Sequence, residues 1–217
     1  MKYGESIFDI LYLLFAVGSG CIMLLKAKDR TGKYMGLAAL ILGCGDAFHL
    51  IPRVLNYFVS ADFTVALGIG KLITSVTMTV FYLLMYYILA WRFRVQKNRY
   101  ITGTLWGLLA IRILLCIPSQ NGWLQNSSNM TWGIIRNIPF VLIGVIICVL
   151  YFKKRNSDRT FRFIWLYIML SFLFYIPVAV FAGQVPMLGM LMLPKTVCYM
   201  LLITAFLRFV CGKEKYE

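Results

Sequence analysis

Seven ionisable side chains stand inside stretches that are otherwise apolar: Asp46, His49, Arg53, Lys71, Arg112, Arg136 and Lys195. Asp9, near the start of the first such stretch, can join them. In a low-dielectric setting this excess of cations over acids is tolerable only if lysines give up protons or an anion is bound. The chemistry it suggests is anion binding, with arginine forks matched to a phosphate or carboxylate. Asp46 and His49, about one helical turn apart, form a candidate acid and base.

Helical phase gathers these residues. At about 100° per residue, Asp46, His49 and Arg53 fall within about 60° of one another, a single stripe on which Pro52 can kink the helix. Lys71, Thr74, Ser75, Met78 and Tyr82 make a second polar face, with Thr79 and Tyr86 at its edge. Lys195 lines up with Cys198 and Tyr199 just after Pro194, and Ser171 lines up with Tyr175. The expected ligand-binding set is therefore Arg53, Lys71, Thr74, Ser75, Tyr82, Arg112, Arg136, Tyr175, Lys195 and Tyr199, with Asp46 and His49 as the catalytic candidates.

Only helices that cross a bilayer can position such a set. The chain has 217 residues, 61% hydrophobic and 14% charged, whereas soluble domains carry about 25% charged residues. Its long apolar runs lack the alternation of a transmembrane barrel, and about 20 residues of helix cross the hydrocarbon layer. Seven segments can be drawn, roughly 6 to 25, 35 to 55, 64 to 90, 101 to 118, 132 to 152, 162 to 182 and 186 to 208. The expected fold is an all-α, polytopic transmembrane bundle of seven helices, forming a single domain over residues 1–217.

Charge sets the expected orientation. Of 22 Lys and Arg, 16 lie in residues 26–33, 92–99, 153–162 and the tail from Arg208, while the connection from Ser119 to Thr131 and the turn around Gly183 and Gln184 carry none. The positive-inside rule then puts the N-terminus outside and the C-terminus in the cytoplasm. Lys2 is balanced by Glu5 and Asp9, and basic residues follow the first apolar run, so that run reads as a retained span and not as a signal peptide. The net charge of +14 is thus mostly an orientation signal with some attraction to anionic headgroups, and no nucleic-acid partner is expected. Trp91, Trp123, Trp132, Tyr100 and Tyr151 sit near segment ends as interfacial aromatics.

With a rise of ~1.5 Å per residue, Asp46 falls near mid-membrane, Arg53 near the outer face and Lys71 ~10 Å below it. Arg112, Arg136 and Lys195 fall in the same outer half. A charge at mid-bilayer costs ~2.5–3.5 kcal/mol, so these groups must face one another, water or a ligand. Plainer roles stand beside this one. Arg53 and Arg136 can snorkel to headgroups, Lys71, Arg112 and Lys195 can pair structurally with Asp46, and His49 can be a hydrogen-bonded core residue. The hydroxyls of span three can be packing glue.

Other chemistries are excluded. His49 is the single histidine and the six cysteines are scattered singly, so neither a metal site nor a disulfide framework is expected. No Gly-rich phosphate loop, GxSxG elbow or HExxH occurs, and no cofactor is expected. A lysine in the last of seven spans is an arrangement shared with retinal proteins, but their aromatic box and span-three carboxylate are missing.

The segment Leu42-Gly-Cys-Gly-Asp46-Ala-Phe-His-Leu-Ile-Pro52 resembles the Gly-Asp motif of the YhhN-like lysoplasmalogenase family. Gly68 to Tyr82 stands where that family has a helix with a Gly and polar groups, and Met190 to Leu202, with Tyr199, is similar to its last helix. The resemblance covers about a third of the chain. It implies a polytopic enzyme hydrolysing the vinyl ether of lysoplasmalogens, with Asp46 as catalytic acid. The family usually has eight spans and a second, Ser-Asp motif, in whose place this chain has Phe174-Tyr-Ile-Pro177.

The leading expectation is an integral membrane protein whose electropositive cavity binds an anionic phospholipid or metabolite, as a lysophospholipid ether hydrolase using Asp46. The competing class is a non-catalytic transporter or sensor of a small anionic metabolite. Membrane lipids are the expected surroundings, and the compact loops fit a bacterial cytoplasmic membrane.

Overall fold

A computed structural model of the chain describes residues 2–95, 98–127, 129–181 and 184–212. Lys97, Gly183, Lys213 and Lys215, which bear on the expected orientation, lie outside the described residues. Seven helices follow in order: α1 Lys2–Lys26, α2 Arg30–Phe58, α3 Thr64–Arg92, α4 Arg99–Cys116, α5 Met130–Lys153, α6 Ile164–Phe181 and α7 Met192–Cys211. Each of the seven lies in a span long and apolar enough to cross a membrane, and among the described residues there is no strand. The chain is an integral, multi-pass membrane protein.

Local chemistry explains the helix starts. Asp29, Asn98 and Asn129 precede α2, α4 and α5, and the side chain of each accepts a backbone N–H of the first turn. The Asp29 cap starts α2 at Arg30, five residues before the expected boundary. The segment before α7 departs from expectation too: Pro186–Leu191 form a 3₁₀ turn before the α-helix begins at Met192.

Consecutive helices pack side by side, α1 also touches α7, and α3 further contacts α5. The α2–α3 seam is tight because a side chain on Gly45 would overlap Thr77, and one on Gly70 would overlap the Phe48 carbonyl. That carbonyl is the one Pro52 leaves without its helical donor. Thr74 Oγ1 donates to the Gly45 carbonyl across the seam at 2.9 Å. Aromatic and aliphatic side chains, including Phe81, Tyr82, Phe161, Ile203 and Phe206, fill the interior.

At one end of the bundle lie the basic connections, where Arg92 donates from Nε to Asp158 Oδ2 at 2.7 Å. The opposite end gathers the start of α1, α3, α5 and α7 and the close of α2, α4 and α6. The α4–α5 connection there contains two 3₁₀ turns, Ser119–Asn121 and Trp123–Gln125.

Candidate functional site

The α4–α5 connection folds in against the helices. Gly122 bends it with a left-handed φ of 60°, and Trp123 Nε1 donates back to the Cys116 carbonyl at 2.8 Å. Its backbone lies so close to α3 that any side chain on Gly68 would overlap the Trp123 carbonyl oxygen. Asn121 is buried and donates to both the Leu115 and Pro118 carbonyls at 2.9 Å, which fixes its amide and leaves Oδ1 aimed at Arg136.

Beneath this connection is a cavity of about 700 Å³. Lys71, Arg112, Arg136 and Lys195 line it, and among the described residues no Asp or Glu does. His49, Thr74, Ser75 and Tyr175 complete the part of the expected set that reaches it.

The four cations are held by neutral groups. Arg112, 2% exposed, donates from Nε to the Ser75 carbonyl at 3.2 Å and from Nη1 to the Arg136 carbonyl at 2.9 Å and Asn137 Oδ1 at 3.1 Å. Its guanidinium lies 4.3 Å from the Phe140 ring centre. Arg136 donates from Nη1 to Asn121 Oδ1 at 3.0 Å and packs over Trp123 at 4.3 Å. Lys71 donates to Asn126 Oδ1 at 2.7 Å. Lys195 sits 4.7 Å from the Tyr175 ring and 5.5 Å from the Tyr199 ring. None of the four forms an ion pair among the described residues. Dipoles and ring faces orient these cations without cancelling their charge.

Four expected site residues do not line the cavity. Arg53 forms an ion pair with Glu5 of α1, and Tyr57 donates to the same carboxylate at 3.1 Å. Asp46 accepts the Tyr12 hydroxyl at 2.7 Å, also from α1. The reason lies in the stripe: Asp46 and Arg53 are only about 20° apart in helical phase, while His49 is offset by about 60° from Asp46. α2 lies between α1 and α3, so the first two turn to α1 and His49 to the cavity. Its Nδ1 is buried and has no hydrogen-bond partner among the described residues.

Tyr82 and Tyr199 are buried deeper, their hydroxyls 3.5 Å apart, with Ser171 Oγ 3.3 Å from Tyr82. They tie α3, α6 and α7 together. Thr74 lines the cavity but spends its hydroxyl proton on Gly45, which matches the packing role of such residues in membranes.

Asn121, Trp123, Asn126 and Asn137 were not among the expected site residues. Their signal was faint: residues 119–129 are uncharged but rich in amides, and Asn137 directly follows an intramembrane arginine. Trp123 stacks on Arg136 where an interfacial anchor was expected.

No family model, curated protein or solved structure matches this chain.

Proposed function

We propose that this protein binds an anionic molecule carrying a phosphate or carboxylate in the cavity between α3, α4, α5, α6 and α7. The observation that carries the reading is the charge imbalance: four cationic side chains line one recess that no described carboxylate shares. Confining like charges in low dielectric is costly, and an anion accepting hydrogen bonds from them relieves that cost. Arg136 supplies a fork, Lys71 and Lys195 supply point charges, and His49 Nδ1 is a further polar partner. By the positive-inside rule the site faces the outer leaflet.

The test is binding of inorganic phosphate and glycerol 3-phosphate to the purified protein by titration calorimetry. Affinity should fall with added chloride salt, and Arg136→Gln and Lys195→Gln should each weaken it at least tenfold. Wild-type protein that ignores both anions would remove the reading.

A hydrolase acting on lysophospholipid ethers is the second reading, favoured by the Gly45-Asp46 motif. Asp46 does not line the cavity and is bonded to Tyr12, so its proton would have to reach the ligand through the cavity wall. Release of aldehyde from lysoplasmalogen, abolished in Asp46→Asn, would support this reading; a wild-type protein that binds without turnover would leave transport or sensing.

A further inference from the structure

A second hollow, of about 210 Å³, lies between α5 and α6, lined by Ile134, Ile138, Val141, Leu142 and Ile176 among others. Its rim is lipid-facing, with Ile138 52%, Leu142 47% and Ile176 41% exposed. From Ile134 to Leu142 it follows α5 for ~12 Å of helix rise.

This groove backs directly onto the cationic cavity, because Asn137, Tyr175, Ala179 and Val180 line both. One bond closes the lower part of the shared wall: Tyr175 donates to Asn137 Oδ1 at 2.8 Å. Beyond it the wall is Ala179 and Val180, which offer no polar contact across the seam. Both helices are weakened at this level. Pro139 in α5 and Pro177 in α6 each remove a helical hydrogen bond, leaving the carbonyls of Ile135 and Leu173 without their usual donors. Charge on one side of a thin, deformable wall and an apolar trough on the other describe a ligand with a charged head and a hydrocarbon chain.

We propose that the α5–α6 groove receives the hydrocarbon chain of a single-chain anionic lipid whose phosphate occupies the cationic cavity. The ligand then arrives sideways from the bilayer, across the seam at Ala179 and Val180. This deepens the anion-binding reading and rests on it. The chain gains nothing by leaving one apolar medium for another; the groove selects by shape, while the cations supply the attraction.

The experiment uses the full chain in nanodiscs of neutral phosphatidylcholine, titrated with dodecyl phosphate and separately with inorganic phosphate. Val141→Phe and Ile138→Trp fill the groove without touching the cavity lining. They should weaken dodecyl phosphate at least tenfold and leave inorganic phosphate within twofold. Leu173→Trp, at a lipid-exposed position outside the groove, should change neither. A dodecyl phosphate with a diazirine on its chain provides a readout in wild-type protein, and should label Ile138, Val141 and Ile176 above other lipid-facing residues.

Unchanged dodecyl phosphate affinity in both groove variants, or labelling spread evenly over the lipid-facing surface, would overturn the tail site while phosphate binding preserved the anion site. Inorganic phosphate binding with no binding of dodecyl phosphate would identify a free anionic metabolite as the ligand and likewise overturn it. Failure of both probes to bind would overturn the two proposals together.

Discussion

Arg112 Nη1 and Asn137 Oδ1 stand 3.1 Å apart, and the same oxygen accepts the Tyr175 hydroxyl. One amide thus joins α4, α5 and α6 beneath the cavity. Removing it strands part of a buried guanidinium and a phenol at once. Asn137→Leu should lower stability by about 2–3 kcal/mol, and Tyr175→Phe, which removes a single bond, by about 1 kcal/mol. Unfolding of the detergent-solubilised variants in denaturant measures both. Equal, small losses would show that the amide is not the junction.

The fit of Gly68 against the Trp123 carbonyl holds the α4–α5 connection over the cavity. Gly68→Ala should push this connection outward, because helix backbone and loop backbone cannot both give way cheaply. Asn121 and Asn126 would move with it, loosening Arg136 and Lys71. Phosphate affinity should drop at least fivefold and Trp fluorescence should shift. A variant that binds and fluoresces like wild type would show that the loop does not shape the site.

Arg53 is matched to Glu5 and lies outside the cavity. Arg53→Gln should therefore leave phosphate affinity within twofold, in contrast to the same change at Arg136 or Lys195. The side chains of the pair are 27% and 20% exposed, and its loss should cost about 1 kcal/mol or less. A tenfold loss of phosphate binding in Arg53→Gln would place this arginine back in the ligand site.

α1 carries two buried acidic contacts of opposite kinds. Tyr12 is bonded to Asp46, whereas Asp9 Oδ2 is buried without a partner among the described residues. Tyr12→Phe should destabilise by about 1–2 kcal/mol because the Asp46 carboxylate loses its donor. Asp9→Asn should be neutral or stabilising, since it removes the charge from a buried carboxyl whose Oδ2 has no donor among the described residues. Unfolding curves of the two single variants decide the matter, and a marked loss in Asp9→Asn would reveal an interaction of the carboxylate that the geometry does not contain.

Much of the architecture was legible along the chain because a bilayer imposes simple rules. Apolar runs of bilayer-spanning length marked all seven helices, whereas the caps at Asp29, Asn98 and Asn129, which set where three of them begin, emerged only with the structure. Position along the helix axis was legible as well. A fixed rise per residue placed Lys71, Arg112, Arg136 and Lys195 at one level, and these four do line a common cavity.

Azimuth was not. A stripe 60° wide on α2 is narrow along one helix, yet wide enough to straddle two neighbours. Whether Asp46 and Arg53 turn toward α1 or toward the cavity depended on where Tyr12 and Glu5 stand. The inward fold of Asn121 and Trp123 likewise depended on the absent side chain of Gly68, seen only when loop and helix meet. The sequence by itself determined which residues lie in membrane-spanning helices and how far along them, since hydropathy and helical rise act along one chain. Only the tertiary structure decided which charges are matched and which stay open, because pairing is settled between helices.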